Sequence, residues 1–330
     1  MLVLGIESSC DECAAAVVMN RTEVLSSIVS SQIDLHARWG GIVPEIAARR
    51  HVETVIPVID EAMSTASVSW GDLTGIAVTR GPGLIGSLLV GVSAAKTLSM
   101  VHQIPIIAVN HLEGHLCAAC LAERPPVLPA VALIVSGGHT DLVLVEDWMR
   151  YRWLGGTLDD AAGETLDKVA RCAGMGYPGG PVIDRLARNG NPSAAAFPRA
   201  WLSGGADFSF SGLKTAVVRS IRGETPLPLE DLAASVQAAI VDVLVKKTID
   251  AAHRCGVGSV ILSGGVAANS SLRSRMESEA ARSGLQLTTP PLCYCTDNAA
   301  MIATAGTIHL ERGEADDLAF DTLSSLTLGA

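Results

Sequence analysis

Short apolar segments separated by polar turns open the chain. Within residues 2–30, "LVLGIES", "CAAAVVM" and "EVLSSIVSS" predict three strands. Residues 44–66, "PEIAARRHVETVIPVIDEAMSTA", predict a helix, because Val52, Val55, Ile56, Ile59 and Met63 recur at helical spacing. A predicted strand, "GIAVTRG", leads into the turn "GPGLIGS", a helix to about His102 and the strand "IPIIAVN".

The second half of the chain repeats this plan. "VALIVSGGHTDLVLVED" predicts two strands joined at Gly137-Gly138. Helices are predicted in "DDAAGETLDKVARCAG" and "LEDLAASVQAAIVDVLVKKTIDAAHRCG", followed by the strand "SVILSGG", a last strand and a last helix that begins near Thr296. Each half thus opens with a β-turn-β unit and continues with helices, which predicts an α/β fold of two lobes with duplicated sheet-and-helix topology.

The segment "ERPPVLPA", residues 123–130, contains three prolines and is the best candidate for a lobe boundary. We expect an N-terminal lobe of residues 1–125 plus 297–330 and a C-terminal lobe of residues 126–296, with a nucleotide and metal cleft between them. A chain of 330 residues is long enough for two lobes that each bury a core.

Composition narrows the class of protein. Hydrophobic residues make up 48% of the chain, aromatic residues only 4%, and there are 32 glycines, as is typical of an α/β enzyme. No apolar run reaches the ~20 residues that span a bilayer. "MLVLGIESSC" has no basic region before its apolar residues and predicts a first strand rather than a signal peptide. We therefore expect a cytoplasmic protein without a membrane partner.

The net charge of -10 disfavours nonspecific binding of nucleic acid. A nucleic-acid substrate would need a local basic patch or a partner protein. Arg49, Arg50 and His51 in "PEIAARRHVE" are a candidate basic spot, and a solvated helix face is the alternative.

Two Gly-Gly turns stand where predicted strands end, in "SGGHTD" (136–141) and "LSGGVAANSSL" (262–272). Glycine allows positive φ and a close approach to an anion, and consecutive N–H groups can hold phosphate. Asn269 and Ser270 are expected to cap the following helix. One such turn alone is more often a plain connection, but two turns together with the polar hairpin "ESSCDE" favour nucleotide binding. No P-loop motif (G-x-x-x-x-G-K-S/T) is present.

His111 and His115 lie four residues apart in "NHLEGHLCAA", so on a helix they share one face and can bind one ion. Taken alone, two such histidines are more often surface or capping residues. The zinc-protease motif H-E-x-x-H is not matched, because Glu113 at the third position points about 200° away from His111 on a helix.

A third ligand for such an ion is available in "YCTDNAAM". Thr296 is the predicted N-cap of the last helix, and Asp297 is predicted in its first turn. If the two lobes close, Asp297 could complete a site of two histidines and one carboxylate. That donor set suits iron(II) first and zinc second.

Two further polar stretches are candidates for ligand contacts. In "DDAAGETLDK", Asp160, Glu164 and Asp167 share a helical face, for which a solvated acidic helix is the alternative. "YPGGPVIDRLA" places Asp184 after a glycine pair, and "DFSFSGLKTA" could place Lys214 near an anion or form a simple strand and turn.

Ten stretches match one known family in order from residue 5 to residue 301. They are "GIESSCDE", "GGIVPEIAARRHVE", "GPGLIGSLLVG", "HLEGHL", "VSGGHT", "DDAAGETLDKVA", "YPGGP", "FSFSGLKTA", "GGVAANSSLR" and "CTDNAAM". The sequence resembles the TsaD family of tRNA N6-adenosine threonylcarbamoyltransferases, a glycoprotease-type family. Cys13 and Ala299 stand where the family usually has threonine and glycine, which are small replacements.

This resemblance implies a two-lobed actin/Hsp70/sugar-kinase-like (ASKHA) architecture and a reaction. The threonylcarbamoyl group of threonylcarbamoyl-AMP would be transferred to N6 of adenosine 37 in tRNAs that read ANN codons. The expected cofactor is one divalent metal, Fe(II) before Zn(II), and the expected ligand is an adenine nucleotide, threonylcarbamoyl-AMP or ATP. The expected partners are tRNA, a TsaB-like homologue, a TsaE-like ATPase and an upstream threonylcarbamoyl-AMP synthase.

The resemblance also implies site residues. The metal ligands would be His111, His115 and Asp297. The substrate contacts would be Ile134, Val135, Ser136, Gly137, Gly138, Asp167, Gly180, Asp184 and Asn269. Asp11 and Glu12 are candidate catalytic bases, because the first hairpin faces the phosphates in this architecture. The alternatives are an ATP-dependent kinase or ATPase that acts without tRNA, a noncatalytic nucleotide-binding scaffold, and a protease.

Overall fold

The computed structural model describes residues 1–202 and 205–329. The chain divides into two compact units. Unit 1 comprises Met1–Pro125 with Pro290–Ala330, and unit 2 comprises Pro126–Thr289.

Unit 1 contains a five-stranded sheet in the order β3-β2-β1-β4-β5. Its strands are β1 (Leu2–Glu7), β2 (Glu12–Met19), β3 (Glu23–Ser31), β4 (Gly75–Gly81) and β5 (Ile106–Asn110). The first three strands are antiparallel, whereas β4 is parallel to β1 and β5 is parallel to β4. Strands β1, β2 and β4 are almost completely buried, which explains why they read as continuous apolar runs.

The helices of unit 1 are α1 (Ile33–Ala37), α2 (Pro44–Ala66), α3 (Ile85–His102), α4 (His111–Cys117) and α10 (Ala299–Glu311). Helix α2 begins and ends where its sequence pattern predicts. Val55, Ile59 and Met63 are buried, but Val52 and Ile56 are 66% and 49% exposed, so the predicted apolar stripe is wider than the buried one. By length and composition, α3 could span a membrane. In unit 1 it packs against α2 and β4.

Helix α10 is apolar on all sides and its residues 299–308 are buried. It crosses β1 at Gly5, where an added Cβ would lie 2.2 Å from the Ala299 carbonyl oxygen. It also contacts α4 at Gly114, where a Cβ would lie 2.6 Å from Ile302 Cδ1. These two glycines allow the start of α10 to approach both the first strand and the histidine-bearing helix.

Unit 2 repeats the sheet of unit 1, with the order β10-β9-β6-β7-β8. Its strands are β6 (Ala130–Val135), β7 (Thr140–Asp147), β8 (Arg150–Gly156), β9 (Ser259–Ser263) and β10 (Gln286–Thr288). Three antiparallel strands are again followed by two parallel ones. The edge strand β8 is not predicted by the sequence pattern, because "RYRW" leaves most of its side chains exposed.

The helices of unit 2 are α5 (Ala162–Cys172), α6 (Gly179–Ala187), α7 (Ser211–Ile221), α8 (Leu229–Cys255) and α9 (Ser270–Arg282). Short 3₁₀ segments lie at Trp70–Asp72 and Ala118–Leu121 in unit 1, at Gly265–Ala268 in unit 2 and at Leu292–Tyr294 in unit 1. The predicted duplication of a sheet-and-helix topology is therefore present in the two units.

Candidate functional site

Helix α4 presents both histidines to the same side. Strand β5 ends at Asn110, whose side chain accepts a hydrogen bond from the Leu112 N–H at 2.9 Å and so caps the helix. One helical turn then separates His111 from His115, and their ring centroids lie 4.7 Å apart at an interplanar angle of 79°. Both side chains are buried.

Asp297 lies immediately before helix α10 rather than in its first turn. The N-cap is Asn298, whose side chain accepts from the Met301 N–H at 3.0 Å. The predictions of Thr296 as N-cap and of Asp297 in the first turn are therefore wrong. The amide of Asn298 satisfies the helix terminus, and this leaves the Asp297 carboxylate to contact other groups.

The Asp297 carboxylate faces both histidines. Its Oδ1 lies 3.5 Å from His111 Nε2 and 3.2 Å from His115 Nε2. One ligand atom from each of the three side chains lies within 4.8 Å of the other two. All three residues belong to unit 1, so the expectation that lobe closure brings Asp297 to the histidines is wrong.

The three side chains fit a divalent cation. His115 is fully buried, and among the described residues neither of its ring nitrogens has a hydrogen-bond partner. A buried polar atom without a partner is costly, and a bound cation would satisfy it. Ligands bonded to zinc at ~2.0–2.2 Å lie about 3.0–3.6 Å apart in tetrahedral or octahedral geometry, which is close to the observed separations.

A further buried side chain, which was not predicted from the sequence, orients His111. Glu7, at the end of β1, is fully buried, and its Oε2 accepts from Thr79 Oγ1 at 2.7 Å and contacts His111 Nδ1 at 2.9 Å. Ser9 Oγ lies 3.2 Å from the same ring nitrogen. A carboxylate on Nδ1 directs the Nε2 lone pair towards the metal position. The signal in the sequence was a charged residue that ends a wholly apolar strand.

The electrostatics of this group favour a positive charge at its centre. Burial raises the pKa of Asp297 and of Glu7, but the neighbouring His111 lowers both by more, so that both carboxyls stay ionised. Burial lowers the pKa of His111, yet Glu7 and Asp297 together raise it well above its ordinary value. A cation can take the place of the proton that these two carboxylates otherwise hold on His111.

Asp11 and Glu12 lie on the hairpin that joins β1 to β2. Burial raises the pKa of Asp11, with a further contribution from Asp297. Burial raises the pKa of Glu12 to about 7, although its Oε1 accepts from Ser31 Oγ at 2.9 Å. Glu12 Oε2 is buried and has no hydrogen-bond partner among the described residues.

In unit 2, the predicted substrate turn connects β6 to β7. Ile134 and Val135 are fully buried at the end of β6, so only their backbone can contact a ligand. Ser136 closes the turn by donating its N–H to the His139 carbonyl at 2.9 Å. Gly137 and Gly138 are exposed, and a Cβ added to either would meet no atom within 4 Å. Neither has a positive φ, so their conformation does not require glycine.

The second glycine turn follows β9 and lies beside the first. Gly264 has φ 91°, and a Cβ there would lie 2.4 Å from the Val135 carbonyl oxygen. The predicted cap is present: Asn269 Oδ1 accepts from the Leu272 N–H at 2.9 Å. Asp184 Oδ1 accepts from Ser270 Oγ at 2.8 Å, which brings Asp184 next to Asn269.

Two further acidic residues of unit 2, Asp167 and Asp160, have structural partners. Asp167 Oδ1 accepts from the Gly179 N–H at 2.7 Å, so Asp167 and Gly180 lie close together. Asp160 precedes α5 and binds both Lys168 and Lys214, so the anion beside Lys214 in this structure is a protein carboxylate. A Cβ at Gly163, the second residue of α5, would lie 2.5 Å from the Ser136 carbonyl oxygen, which places this helix start against the first glycine turn.

Two α/β units of the same sheet topology define a fold that solved structures share. HypF from T. kodakarensis has a TM-score of 0.64 at 15% identity over 94% of this chain and 48% of that chain. Component A of (R)-2-hydroxyglutaryl-CoA dehydratase from Acidaminococcus fermentans has a TM-score of 0.55 at 16% identity over 92% of this chain and 96% of that chain. The predicted actin/Hsp70/sugar-kinase-like fold class is confirmed.

Sequence comparison identifies the family. The sequence model described as "tRNA N6-adenosine threonylcarbamoyltransferase" (TsaD) matches residues 23–304. Proteins of that name from Symbiobacterium thermophilum and Bacillus subtilis are each 53% identical to this chain, over 99% and 95% of its length and 97% and 92% of theirs. The chain therefore belongs to the tRNA N6-adenosine threonylcarbamoyltransferase family, and the resemblance predicted from its motifs is confirmed.

Proposed function

We propose that the chain transfers the threonylcarbamoyl group of threonylcarbamoyl-AMP to N6 of adenosine 37 in tRNAs that read ANN codons. Membership of a transferase family at 53% identity over 99% of the chain supports this activity. The single structural observation that carries it is the group of two buried imidazoles and one half-buried carboxylate. Such a group fits the metal-assisted acyl transfer that the family resemblance implies.

His111, His115 and Asp297 would hold the metal, for which we propose Fe(II) first and Zn(II) second. Two histidines and one carboxylate are the donor set of non-haem Fe(II) sites and of several zinc enzymes. When bound, the ion supplies a Lewis acid that can polarise a carbonyl or phosphoryl oxygen of the adenylate. Glu7 and Ser9 hold the His111 ring in the orientation that this binding needs.

Of the two candidate bases, Glu12 is the better proton acceptor. A general base works best when its pKa is near the operating pH, and the pKa of Glu12 is raised to about 7. Its Oε2 is buried and has no hydrogen-bond partner in the described part of the chain, so none of its lone pairs is taken by another group of the protein. In the proposed step, the adenosine N6 attacks the carbamoyl carbon, the C–O bond to phosphate breaks, AMP leaves with that electron pair, and Glu12 takes the N6 proton.

For unit 2 we propose the contacts to the adenylate that family members are expected to make. The open N–H groups of Gly137 and Gly138 could bind phosphate oxygens without side-chain obstruction. Asp167, Gly180, Asp184 and Asn269 would hold the nucleoside. The buried side chains of Ile134 and Val135 would shape the strand end that bears Ser136.

For partners we propose tRNA, a TsaB-like homologue, a TsaE-like ATPase and, upstream, a threonylcarbamoyl-AMP synthase. Exposed apolar residues on α2 and α3, which pack on each other, support a protein partner that binds a helical face: Val52, Ile56, Leu89 and Val101. Since tRNA is processed in the cytoplasm, we propose that location.

The test of the activity uses purified protein, pre-formed threonylcarbamoyl-AMP and an unmodified tRNA that reads an ANN codon. The reaction is run with and without the proposed partners. Mass spectrometry of the digested tRNA should show threonylcarbamoyladenosine at position 37 only. Parallel arms with ATP and small alcohols test the kinase alternative. Phosphorylated alcohol or ATP turnover without tRNA modification would contradict the proposal, as would binding of the adenylate without turnover.

A further inference from the structure

The two units differ in charge in a way that bears on RNA binding. Unit 1 has 8 Lys and Arg residues against 18 Asp and Glu, whereas unit 2 has 16 of each. The whole acidic excess of the chain therefore lies in unit 1. Attraction for a polyanion is more readily found in unit 2, provided that some of its cations are not neutralised by neighbouring carboxylates.

The basic spot suggested by the sequence, on α2 of unit 1, is neutralised. Arg49 is paired with Glu45 and Arg50 with Glu53, each at 2.7 Å. His51 is buried, and its Nε2 lies 2.9 Å from the Cys10 carbonyl oxygen. This spot therefore offers little free positive charge to a phosphate.

A different cluster of cations surrounds a cavity of about 390 Å³ in unit 2. Helix α5 contributes Lys168, Arg171 and Cys172 to its lining, and α7 contributes Lys214, Val218 and Arg219. Four positively charged side chains from two packed helices thus converge on one opening, whose floor is made of aliphatic stems and small apolar groups.

The cations of this cavity fall into two pairs with different roles. Lys168 and Lys214 both bind the nearly buried Asp160, at 2.7 Å and 2.5 Å, and so tie α7 to the start of α5. Burial raises the pKa of Asp160, but the two lysines lower it by more, so its carboxylate stays ionised and holds both. Arg171 and Arg219 have no carboxylate within 4.0 Å among the described residues, and both are exposed.

At least six of the ten other arginines of unit 2 lack this freedom. Carboxylates lie within 4.0 Å of Arg150, Arg152, Arg188, Arg199, Arg275 and Arg282. The α5–α7 cavity is thus a place where two unpaired guanidinium groups stand beside a space that a ligand can enter.

We propose that the α5–α7 cavity binds the sugar-phosphate backbone of tRNA, with Arg171 and Arg219 on one phosphodiester. The inference rests on tRNA being the substrate proposed above, and it assigns to this chain a contact with the RNA outside the metal centre. A guanidinium binds a phosphate through two parallel N–H groups, which an ammonium cannot do. The apolar floor suits a ribose, and the Asp160 bridge fixes the distance between the helices that carry the two arginines.

The first test measures tRNA binding as a function of salt, with the protein in the form in which the wild type modifies tRNA. Each phosphate contact contributes about 0.7–0.9 to the slope of log K against log salt concentration. We expect Arg171→Ala and Arg219→Ala each to reduce the slope by about that amount and to raise KM for tRNA about fivefold, with kcat unchanged. The double Arg→Lys variant should keep most of the slope.

Arg282→Ala is the matched control, because Arg282 is exposed, lies in the same unit and is paired with Glu279 at 2.9 Å. It should change neither slope nor KM. Melting temperatures of all variants should equal that of the wild type, since each replaced side chain is exposed.

The second test uses Cys172, an exposed thiol that lines the cavity. Its alkylation by a neutral reagent should slow at least several-fold when saturating tRNA is added, and an equal concentration of AMP or of inorganic phosphate should give no protection. The exposed Cys293 of unit 1 is measured in the same digest by mass spectrometry. Its alkylation rate shows whether tRNA also shields the protein away from the cavity.

The outcomes separate this inference from the proposed function. If wild-type protein modifies tRNA while the two arginine variants keep its KM and salt slope, the cavity proposal fails and the activity stands. Protection of Cys172 by AMP but not by tRNA would assign the cavity to a free nucleotide and would also overturn the proposal. If the wild type binds tRNA through these arginines but transfers no threonylcarbamoyl group, the proposed function fails instead.

Discussion

The two sheets have the same topology, and their first hairpins show how one scaffold can carry two kinds of chemistry. In unit 1, residues 7–12 contain a buried Glu7 bonded to His111 and a Glu12 whose pKa is raised to about 7. In unit 2, the equivalent residues 136–139 contain two glycines with open space around them. The first hairpin uses side chains to favour a cation, whereas the second exposes backbone N–H groups that suit an anion.

The largest expected effect comes from disrupting the proposed metal site of unit 1. His115→Ala deletes a fully buried ring whose Nδ1 has no hydrogen-bond partner in the described ranges and whose Nε2 faces the Asp297 carboxylate at 3.2 Å. We expect loss of bound iron or zinc, measured by elemental analysis, and a fall in tRNA modification of about 10³-fold, because Lewis-acid assistance contributes several kcal/mol. His253→Ala, at an exposed helical histidine of unit 2, is the control. Retained metal with retained modification would refute the assignment.

The next prediction tests Glu12, the proposed proton acceptor, which lies on the first hairpin of unit 1. Glu12→Gln should lower kcat by about 10²-fold or more, as loss of a general base does. Because the pKa of Glu12 is raised to about 7, its carboxylate form is lost as pH falls below that value, and the wild-type rate should fall with it. The rate of Glu12→Gln should not show this dependence. An unchanged pH profile in the variant would exclude Glu12, and Asp11→Asn would then be the variant to measure.

The strands and helices of the two units were easier to predict from the sequence than the contacts between their side chains. Strands β1 to β3, helix α2 and the hairpin at Gly137-Gly138 follow from periodicity and turn residues, which are local signals. Strand β8 was missed because an exposed edge strand such as "RYRW" carries no alternation of buried residues. The N-cap of α10 was misplaced by two residues, since Thr296 and Asn298 are both good caps and local sequence does not choose between them.

Residue chemistry and the family resemblance both indicated the candidate metal ligands, but their supporting residues required coordinates. Spacing indicated that His111 and His115 share a face, yet it did not bring residue 297 to residue 111. That approach depends on Gly5 and Gly114, which let α10 pack closely on β1 and α4. The contact of Glu7 with His111 joins residues 104 positions apart and leaves no periodic trace in the sequence.

A smaller effect distinguishes a residue that binds the metal from Glu7, which orients a metal ligand. Glu7→Gln keeps the size of the side chain but weakens the carboxylate contact to His111 Nδ1. We expect metal affinity to fall about 10- to 100-fold, as for other residues that orient a metal-bound histidine. Competition with a chromophoric chelator measures it. Glu23→Gln, on exposed β3 of the same sheet, should leave the affinity unchanged. Equal affinities for Glu7→Gln and wild type would leave Glu7 with a packing role only.

The corresponding prediction for unit 2 tests whether backbone N–H groups of the first glycine turn bind phosphate. Gly137→Ala and Gly138→Ala place a methyl group in open space at an ordinary φ, so the free energy of unfolding should change by less than about 0.5 kcal/mol. If phosphate binds these N–H groups, the methyl group obstructs it, and KM for threonylcarbamoyl-AMP should rise about tenfold, which corresponds to ~1.4 kcal/mol. Gly264→Ala is the structural contrast, because its Cβ would collide with Val135 and should destabilise unit 2. An unaltered KM in both turn variants would rule out phosphate binding at this turn.

The smallest effect concerns stability in unit 1, at the far end of α10 from Asp297. His309 Nε2 lies 2.9 Å from Glu113 and its Nδ1 lies 2.6 Å from Glu314. Burial lowers the pKa of His309, but the two carboxylates raise it by more, so the folded protein holds this proton more tightly than the unfolded chain does. The stabilisation is therefore complete below the unfolded pKa of ~6.5 and is lost as pH rises through the higher folded pKa. His309→Gln should cost about 1 kcal/mol near pH 6 in urea unfolding, and the difference from wild type should shrink by pH 9. His253→Gln should show no such trend, and a cost for His309→Gln that stays constant or grows with pH would mean that the ring is held by packing rather than by charge.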